Sequence, residues 1–270
     1  MKEPFMLEMR AVRLVYNEGT TTEVVAVAGL DITIPSGQFV TVVGSNGAGK
    51  SSFIQLVSGA VRPTTGRVVI AGTDVTRQPQ HRRAGRIGRV FDNPHAGSVP
   101  ELSIEENLAL AMARGRRRGL RLATTRQRRE QMRAPLANLG LGLENRLHDP
   151  VRLLSAGQRQ SLTMVMASLT SPEVLLLDEH LAALDPGTAS RVLDLTVGLV
   201  RRLACTTIMV THNMEHAITV GDRLLVMSRG RVIADFDAEE KARLTVPELV
   251  GHITGAGDVV SDRMLLEESA

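Results

Sequence analysis

Tryptophan is absent from this 270-residue chain, tyrosine occurs once and phenylalanine five times. So few aromatic rings leave little from which to build the stacking platforms that bind single-stranded nucleic acid, and no nucleic-acid partner is expected. Cysteine is equally scarce: the lone Cys205 excludes an internal disulfide framework, and its neighbours Leu203 and Ala204 mark it as a small buried hydrophobe rather than a nucleophile. No apolar run approaches the roughly 20 residues that span a bilayer. The opening Met1-Lys2-Glu3-Pro4 has no apolar stretch of the kind found in a secretory signal, so the chain is expected to stay in the cytoplasm. Lysine is rare too, with 3 residues against 29 arginines.

What remains is ordinary globular material. Hydrophobic residues make up 43% and charged residues 23%, enough for one α/β domain with an insertion, and too apolar for a disordered or low-complexity chain. The net charge is only +3, yet residues 62–133 hold 16 Arg against 6 Asp or Glu, so the remainder is net acidic. A basic middle third suits an anionic membrane surface, nucleic acid or a docking partner, with a solvated face as the plain alternative.

Hydrophobic periodicity predicts strands over 7–14, 24–27, 32–34, 39–43, 67–70, 174–177, 206–210 and 223–227. Helices are predicted from Lys50 to Val57, from Ser103, over 127–139 with Pro135 as a kink or start, over 155–169, 188–203 and 214–220. Ser103 and Glu106 have capping-box spacing. The alternation of strand and helix in the second half predicts a parallel sheet wound with helices. The tail after Val250 is weakly patterned.

The segment Gly44-Ser45-Asn46-Gly47-Ala48-Gly49-Lys50-Ser51, followed by Ser52, joins an apolar strand to a helix. Its glycines let the backbone curl so that N–H groups converge on phosphate oxygens, and the helix adds its positive end. Such a loop binds a polyphosphate, with Lys50 neutralising the β- and γ-phosphates and the Ser51 hydroxyl as an Mg²⁺ ligand. A second metal-ordering carboxylate is needed at the end of a neighbouring strand, and Asp178 supplies it after Val174-Leu-Leu-Leu177. Glu179, one residue further, reaches toward a water in line with the γ-phosphate.

Leu154-Ser155-Ala156-Gly157-Gln158, about twenty residues ahead of that strand, resembles the signature segment of the ATP-binding subunits of ABC transporters. The likeness extends over roughly residues 7–250. It implies a P-loop core with an antiparallel β subdomain and a helical subdomain at about 92–170, within a nucleotide-binding domain over 7–255 and a tail over 256–270. It implies that the nucleotide is ATP with Mg²⁺, and that Ser155, Ala156, Gly157 and Gln158 cap the γ-phosphate of ATP held by a second copy of the chain. Ala183-Leu184-Asp185 resembles the D-loop, and Val210-Thr211-His212 the switch-histidine segment, with His212 meeting the γ-phosphate and the attacking water. Tyr16 falls where the family places a ring that stacks on adenine.

One departure stands out. The family's Q-loop glutamine, which touches the metal and water, is replaced by Asp92 in Val90-Phe91-Asp92-Asn93-Pro94. Aspartate still serves a hard cation, but its charge near the γ-phosphate disfavours ATP unless Mg²⁺ offsets it. A competing pattern, His212-Asn-Met-Glu215-His216, matches an inverted zinc-peptidase motif, although that reading leaves the P-loop, Asp178 and Ser155 without a role.

The resemblance implies the ATPase of an importer, at the cytoplasmic face of the membrane, working with multi-span permease subunits and a solute-binding protein. Ser103 to Ala111, Arg117 to Arg121, Leu139 to Leu147 and Asp178-Glu179-His180 are similar to ATPases paired with branched-chain-amino-acid-like permeases, some assigned to aromatic amino-acid uptake. Residues 92–107 and the arginines Arg116, Arg117 and Arg118 behind them are the expected docking surface. A non-transport ABC ATPase and a slow nucleotide-dependent regulatory subunit are the alternatives.

Overall fold

The apolar run Phe39-Val-Thr-Val-Val43 has no polar face to offer water, and strand β3 (Phe39–Gly44) is buried along its whole length at the centre of the protein. A computed structural model describes residues 5–115 and 123–255. In the sheet built around β3, the order is β10 (Arg231–Phe236), β9 (Arg223–Ser228), β3, β8 (Thr206–Val210), β7 (Val174–Asp178) and β6 (Ile87–Val90). The five strands from β9 to β6 run parallel, and β10 returns antiparallel at one edge. A second, antiparallel sheet is ordered β2 (Val24–Pro35), β1 (Phe5–Tyr16), β4 (Thr65–Ile70), β5 (Thr73–Asp74). The α/β class with a β subdomain is therefore as expected.

Helix α1 (Lys50–Ser58) joins the two sheets. Its Phe53, Ile54 and Val57 share one buried cluster with Val40, Val42 and Leu176 of the parallel sheet and Leu7, Met9 and Ile34 of the antiparallel one. The opposite face of the parallel sheet is covered by α5 (Ala156–Ser168) and α6 (Pro186–Leu203), whose Met164, Val192 and Leu193 pack with Leu175, Leu177 and Met209. Alternate residues of β7 thus serve opposite layers, which is why its sequence reads as an unbroken apolar run. Near β9, α7 (Met214–Thr219) and α9 (Val246–Gly255) bury Met214, Leu249 and Ile253 against Val43, Leu224 and Val226.

Between β6 and β7 the chain forms α3 (Ile104–Met112), α4 (Arg126–Ala137) and α5, which share a separate cluster including Ile104, Leu108, Met132, Leu136 and Leu162. The Ser103–Glu106 capping box is present, and Pro135 lies inside α4 rather than at its start. Two short helices, α2 (Gln80–Arg83) and α8 (Ala238–Arg243), complete the described α-helices. No helix among the described residues is long and apolar enough to cross a membrane.

Several elements differ from expectation. The strands predicted at 24–27 and 32–34 are one strand, because the pairs Val12↔Leu30 and Arg13↔Ala28 skip Gly29, whose φ of +80° absorbs the bulge. Strand β6 was hidden by its brevity and its arginine. Strand β10 alternates exposed and half-buried residues, a weak pattern, and α9 (Val246–Gly255) runs into the weakly patterned stretch after Val250. The basic middle third is also less of a surface patch than its composition implies. Arg83 is buried and donates to Leu56 O, Val57 O and Gln78 O at 2.7, 2.8 and 3.0 Å, satisfying the C-terminal carbonyls of α1. Arg114 donates to Met166 O, and Arg86 and Arg129 pair with Glu173 and Glu105. Arg116, Arg117, Arg118 and the tail over 256–270 lie outside the described residues.

Candidate functional site

In an open parallel sheet, loops that leave the carboxyl ends of adjacent strands converge on one edge. Here β3 delivers the glycine-rich loop, β7 delivers Asp178 and Glu179, and β8 delivers Thr211 and His212 to that edge. The loop is held from outside by the turn between β9 and β10. Gly230 N donates to Ala48 O at 2.9 Å. A Cβ on Gly44 would stand 2.1 Å from Met227 O, and one on Gly49 would stand 2.5 Å from Ala26 O. Both glycines have positive φ, 152° and 100°, so the loop's curl needs glycine for conformation and for space. Gly230 was not foreseen as part of the site; a glycine after a strand in the distant C-terminal half carries no motif.

Lys50 opens α1 and is buried, with Nζ donating to Gly44 O at 2.7 Å and Ser45 O at 2.9 Å. Burial pulls its pKa below the usual lysine value, opposed by the charges of Glu179 and Asp178. Both carboxylates are therefore close enough to act on the P-loop ammonium. Ser51, Asn46 and Gly47 are exposed, and Ser52 is half-buried.

Glu179 adopts φ +49°, a left-handed conformation that a non-glycine residue rarely takes. Its N–H is fixed to Val210 O at 3.0 Å, and its Oε1 lies 2.6 Å from His212 Nε2. The strained backbone thus turns the Glu179 carboxylate toward the strand that carries the histidine. Among the described residues no three His, Cys, Asp or Glu are grouped to hold a metal ion, and His212 is committed to Glu179.

Asp178 is paired with a residue that no motif had singled out: Arg89 Nη2 on β6 lies 2.8 Å from its Oδ2. Burial raises the Asp178 pKa, Arg89 lowers it, and the charges of Glu179 and Asp92 raise it again. Asp92 itself is exposed, two residues beyond β6. The oxygens offered by Ser51 and Asp178, the latter acted on by Glu179 and Asp92, are of the hard-donor type that Mg²⁺ takes.

Other predicted residues also have visible structural work. Ser155 caps α5, its Oγ accepting from Gln158 N at 3.3 Å while Gln158 Oε1 accepts from Ser155 N at 3.1 Å. Ser155 and Ala156 are exposed at that helix start. A Cβ on Gly157 would meet Thr188 Cγ2 at 2.4 Å, so glycine there permits α5 to press against α6. Asp185 caps α6 by accepting from Thr188 N at 3.0 Å, and hydrogen bonding from the Thr188 side chain, with that backbone bond, holds its carboxyl below the usual range. Tyr16 packs against the core beside α1, its hydroxyl hydrogen-bonded to Gln55 Oε1 at 3.1 Å. His180 is buried against Thr196 Oγ1 at 3.1 Å, and burial depresses its pKa to about 3. A neutral His180 is thus part of the core rather than of the chemistry.

The family model described as ABC transporter matches residues 27–182. A tyrosine transport ATP-binding protein of Clostridioides difficile is 41% identical over 221 residues, covering 82% of this chain and 88% of its own length. A methionine import ATP-binding protein, MetN, of Rhodopseudomonas palustris is 35% identical over 245 residues, and this match covers 88% of this chain but only 63% of that relative. Among solved structures, the ATP-binding cassette MJ0796 in a dimeric post-hydrolysis state with ADP and Pi is similar at a TM-score of 0.74 and 25% identity, over 86% of this chain and 99% of that one. The chain belongs to the ABC transporter family, as an ATP-binding cassette.

Proposed function

We propose that this ABC transporter cassette is the ATP-hydrolysing subunit of an importer, working as a head-to-tail pair of identical chains that encloses two nucleotides. The observation that carries the reading is the convergence of Lys50, Asp178 and the Glu179–His212 pair on the edge where the P-loop leaves β3. Lys50 and the loop N–H groups bind the polyphosphate, and Tyr16, beside α1, stacks on the adenine. Ser51 and Asp178, with Asp92 nearby, hold Mg²⁺, which when bound screens the charge on the β- and γ-phosphates. Glu179 orients the attacking water and takes up its proton, and His212 holds the Glu179 carboxylate by its 2.6 Å contact.

Ser155, Ala156, Gly157 and Gln158 begin α5 at an exposed, capped helix N-terminus. Such an end is an anion site, and in the paired arrangement it faces the γ-phosphate held by the other copy. The MJ0796 cassette, dimeric with ADP and Pi, supports that arrangement. We assign residues 7–255 to one nucleotide-binding domain, with 92–170 as its helical subdomain and 256–270 as a tail. Along that subdomain a groove of about 260 Å³ is lined by Phe91, Val99, Leu110, Thr163 and Met166. Val99 and Leu110 are 41% and 49% exposed, an apolar rim that suits a permease segment. The permease would hold the cassette at the cytoplasmic membrane face, with a solute-binding protein delivering cargo. Likeness to tyrosine and methionine relatives supports an amino-acid cargo.

The test is a Glu179→Gln variant at saturating ATP with Mg²⁺, sized by light scattering, with Lys50→Ala as its control. Pairing in the first and loss of nucleotide binding in the second are expected. A Glu179→Gln protein that stays monomeric, alone and with its permease, overturns the paired-cassette reading.

A further inference from the structure

Arg89 lies in the middle of β6, opposite Leu176 of β7, and its side chain is clamped on two sides. Nη2 pairs with Asp178 Oδ2 at 2.8 Å, and these side chains are only 16% and 14% exposed. Cζ stands 4.5 Å above the centroid of the Phe91 ring. Phe91 is itself tied to α5, because its carbonyl accepts from Gln160 Nε2 at 3.0 Å. A guanidinium held between a carboxylate and an aromatic face has a fixed plane and a fixed reach.

The charges around it are unbalanced without it. The charges of Glu179 and Asp92 both act on Asp178, and the nearby Lys50 donates to the loop's own carbonyls. A polyphosphate would bring more negative charge to the same edge. Asp92, exposed two residues beyond β6, makes the excess larger by one.

We propose that Arg89 is a positioning residue of the nucleotide site: it fixes the orientation of the Asp178 carboxylate and supplies the positive charge that offsets Asp92. This inference rests on the nucleotide-site reading given above. Without Arg89, a nucleotide free of metal meets an edge with one positive charge fewer, while a divalent cation is drawn to it more strongly. The balance between metal-free and metal-bound nucleotide affinity therefore depends on Arg89 and Asp92 together.

The experiment measures equilibrium binding of trinitrophenyl-ATP to the full chain in EDTA and in Mg²⁺, and takes the ratio of the two dissociation constants. Arg89→Ala is expected to raise the EDTA-to-Mg²⁺ ratio about tenfold, and Asp92→Asn added to it to bring the ratio back toward wild type. Arg89→Lys, which keeps the charge but not the planar fork, should hold the ratio near wild type while lowering kcat. Asp92→Asn alone should lower the ratio, an arm that works even where Arg89→Ala fails to fold. A ratio unmoved by Arg89→Ala in folded protein, or by Asp92→Asn alone, overturns the inference while leaving nucleotide binding intact. Absence of nucleotide binding by the wild type under both conditions overturns the site reading and this inference with it.

Discussion

His212 Nε2 lies 2.6 Å from Glu179 Oε1, so the histidine at the end of β8 and the glutamate at the end of β7 form one unit across adjacent parallel strands. Neither can be displaced without disturbing the other, because the left-handed backbone of Glu179 is anchored to Val210, two residues before the histidine. Glu179→Gln is expected to lower the rate of phosphate release about 10²–10⁴-fold, the range typical of losing a general base, with little change in nucleotide affinity. His212→Ala should reduce turnover as well, and the double variant should be no slower than the worse single one. Single-turnover phosphate release measures all three, and additive losses would show that the two side chains act separately.

Asp92 contributes charge without burial. Asp92→Gln should raise the Mg²⁺ concentration that gives half-maximal hydrolysis, because the edge loses one negative charge and attracts a divalent cation less strongly. A steady-state titration of rate against Mg²⁺ reads this directly. An unchanged rate and an unchanged midpoint would place Asp92 outside the metal's surroundings.

Gly157 has a packing reason that is separable from its place in the signature segment. Gly157→Ala brings a methyl group within 2.4 Å of Thr188 Cγ2 and should cost about 1–3 kcal/mol through overpacking between α5 and α6. Thermal unfolding of the variant measures that cost. Thr188→Ser in the same chain removes the opposing methyl and should recover much of it. If the second change recovers nothing, the contact between the two helices is not what Gly157 permits.

Lys241 gives the fold a dependence on alkaline pH. Its Nζ is buried and donates to Val220 O and Gly221 O at the end of α7, and burial lowers its pKa from 10.5 to about 8, partly opposed by Asp222. Between about pH 8 and 10.5 the unfolded chain holds this proton while the folded one has released it. Stability from this group therefore rises with pH across that window and is lower below it. Denaturant unfolding at pH 7.5 and 9.5 should show this increment, and Lys241→Met should remove it. An identical pH slope in the variant would assign the increment elsewhere.

Much of the site was legible in the chain itself, because its chemistry is local. The P-loop needs glycines, a lysine and a hydroxyl at set spacing, and Asp178 and Glu179 must follow an apolar strand; both are contiguous patterns that survive without knowledge of the fold. The capping residues Ser103 and Ser155 were legible for the same reason, since a cap and its partner lie three residues apart. Strand β6 and its Arg89 were not, because a four-residue strand with a charge in it is recognisable only once β7 lies beside it.

What the amino-acid order alone determined is the kind of chemistry: a phosphate-gripping loop, two acidic residues after a buried strand and a capped helix start. Tertiary structure decided which groups meet. The Arg89–Asp178 pair, the Glu179–His212 contact and the support of the P-loop by Gly230 each join residues from 33 to more than 180 positions apart. Sequence spacing has no information about such encounters, because side chains so far apart are brought together only by the order and register of strands in the sheet.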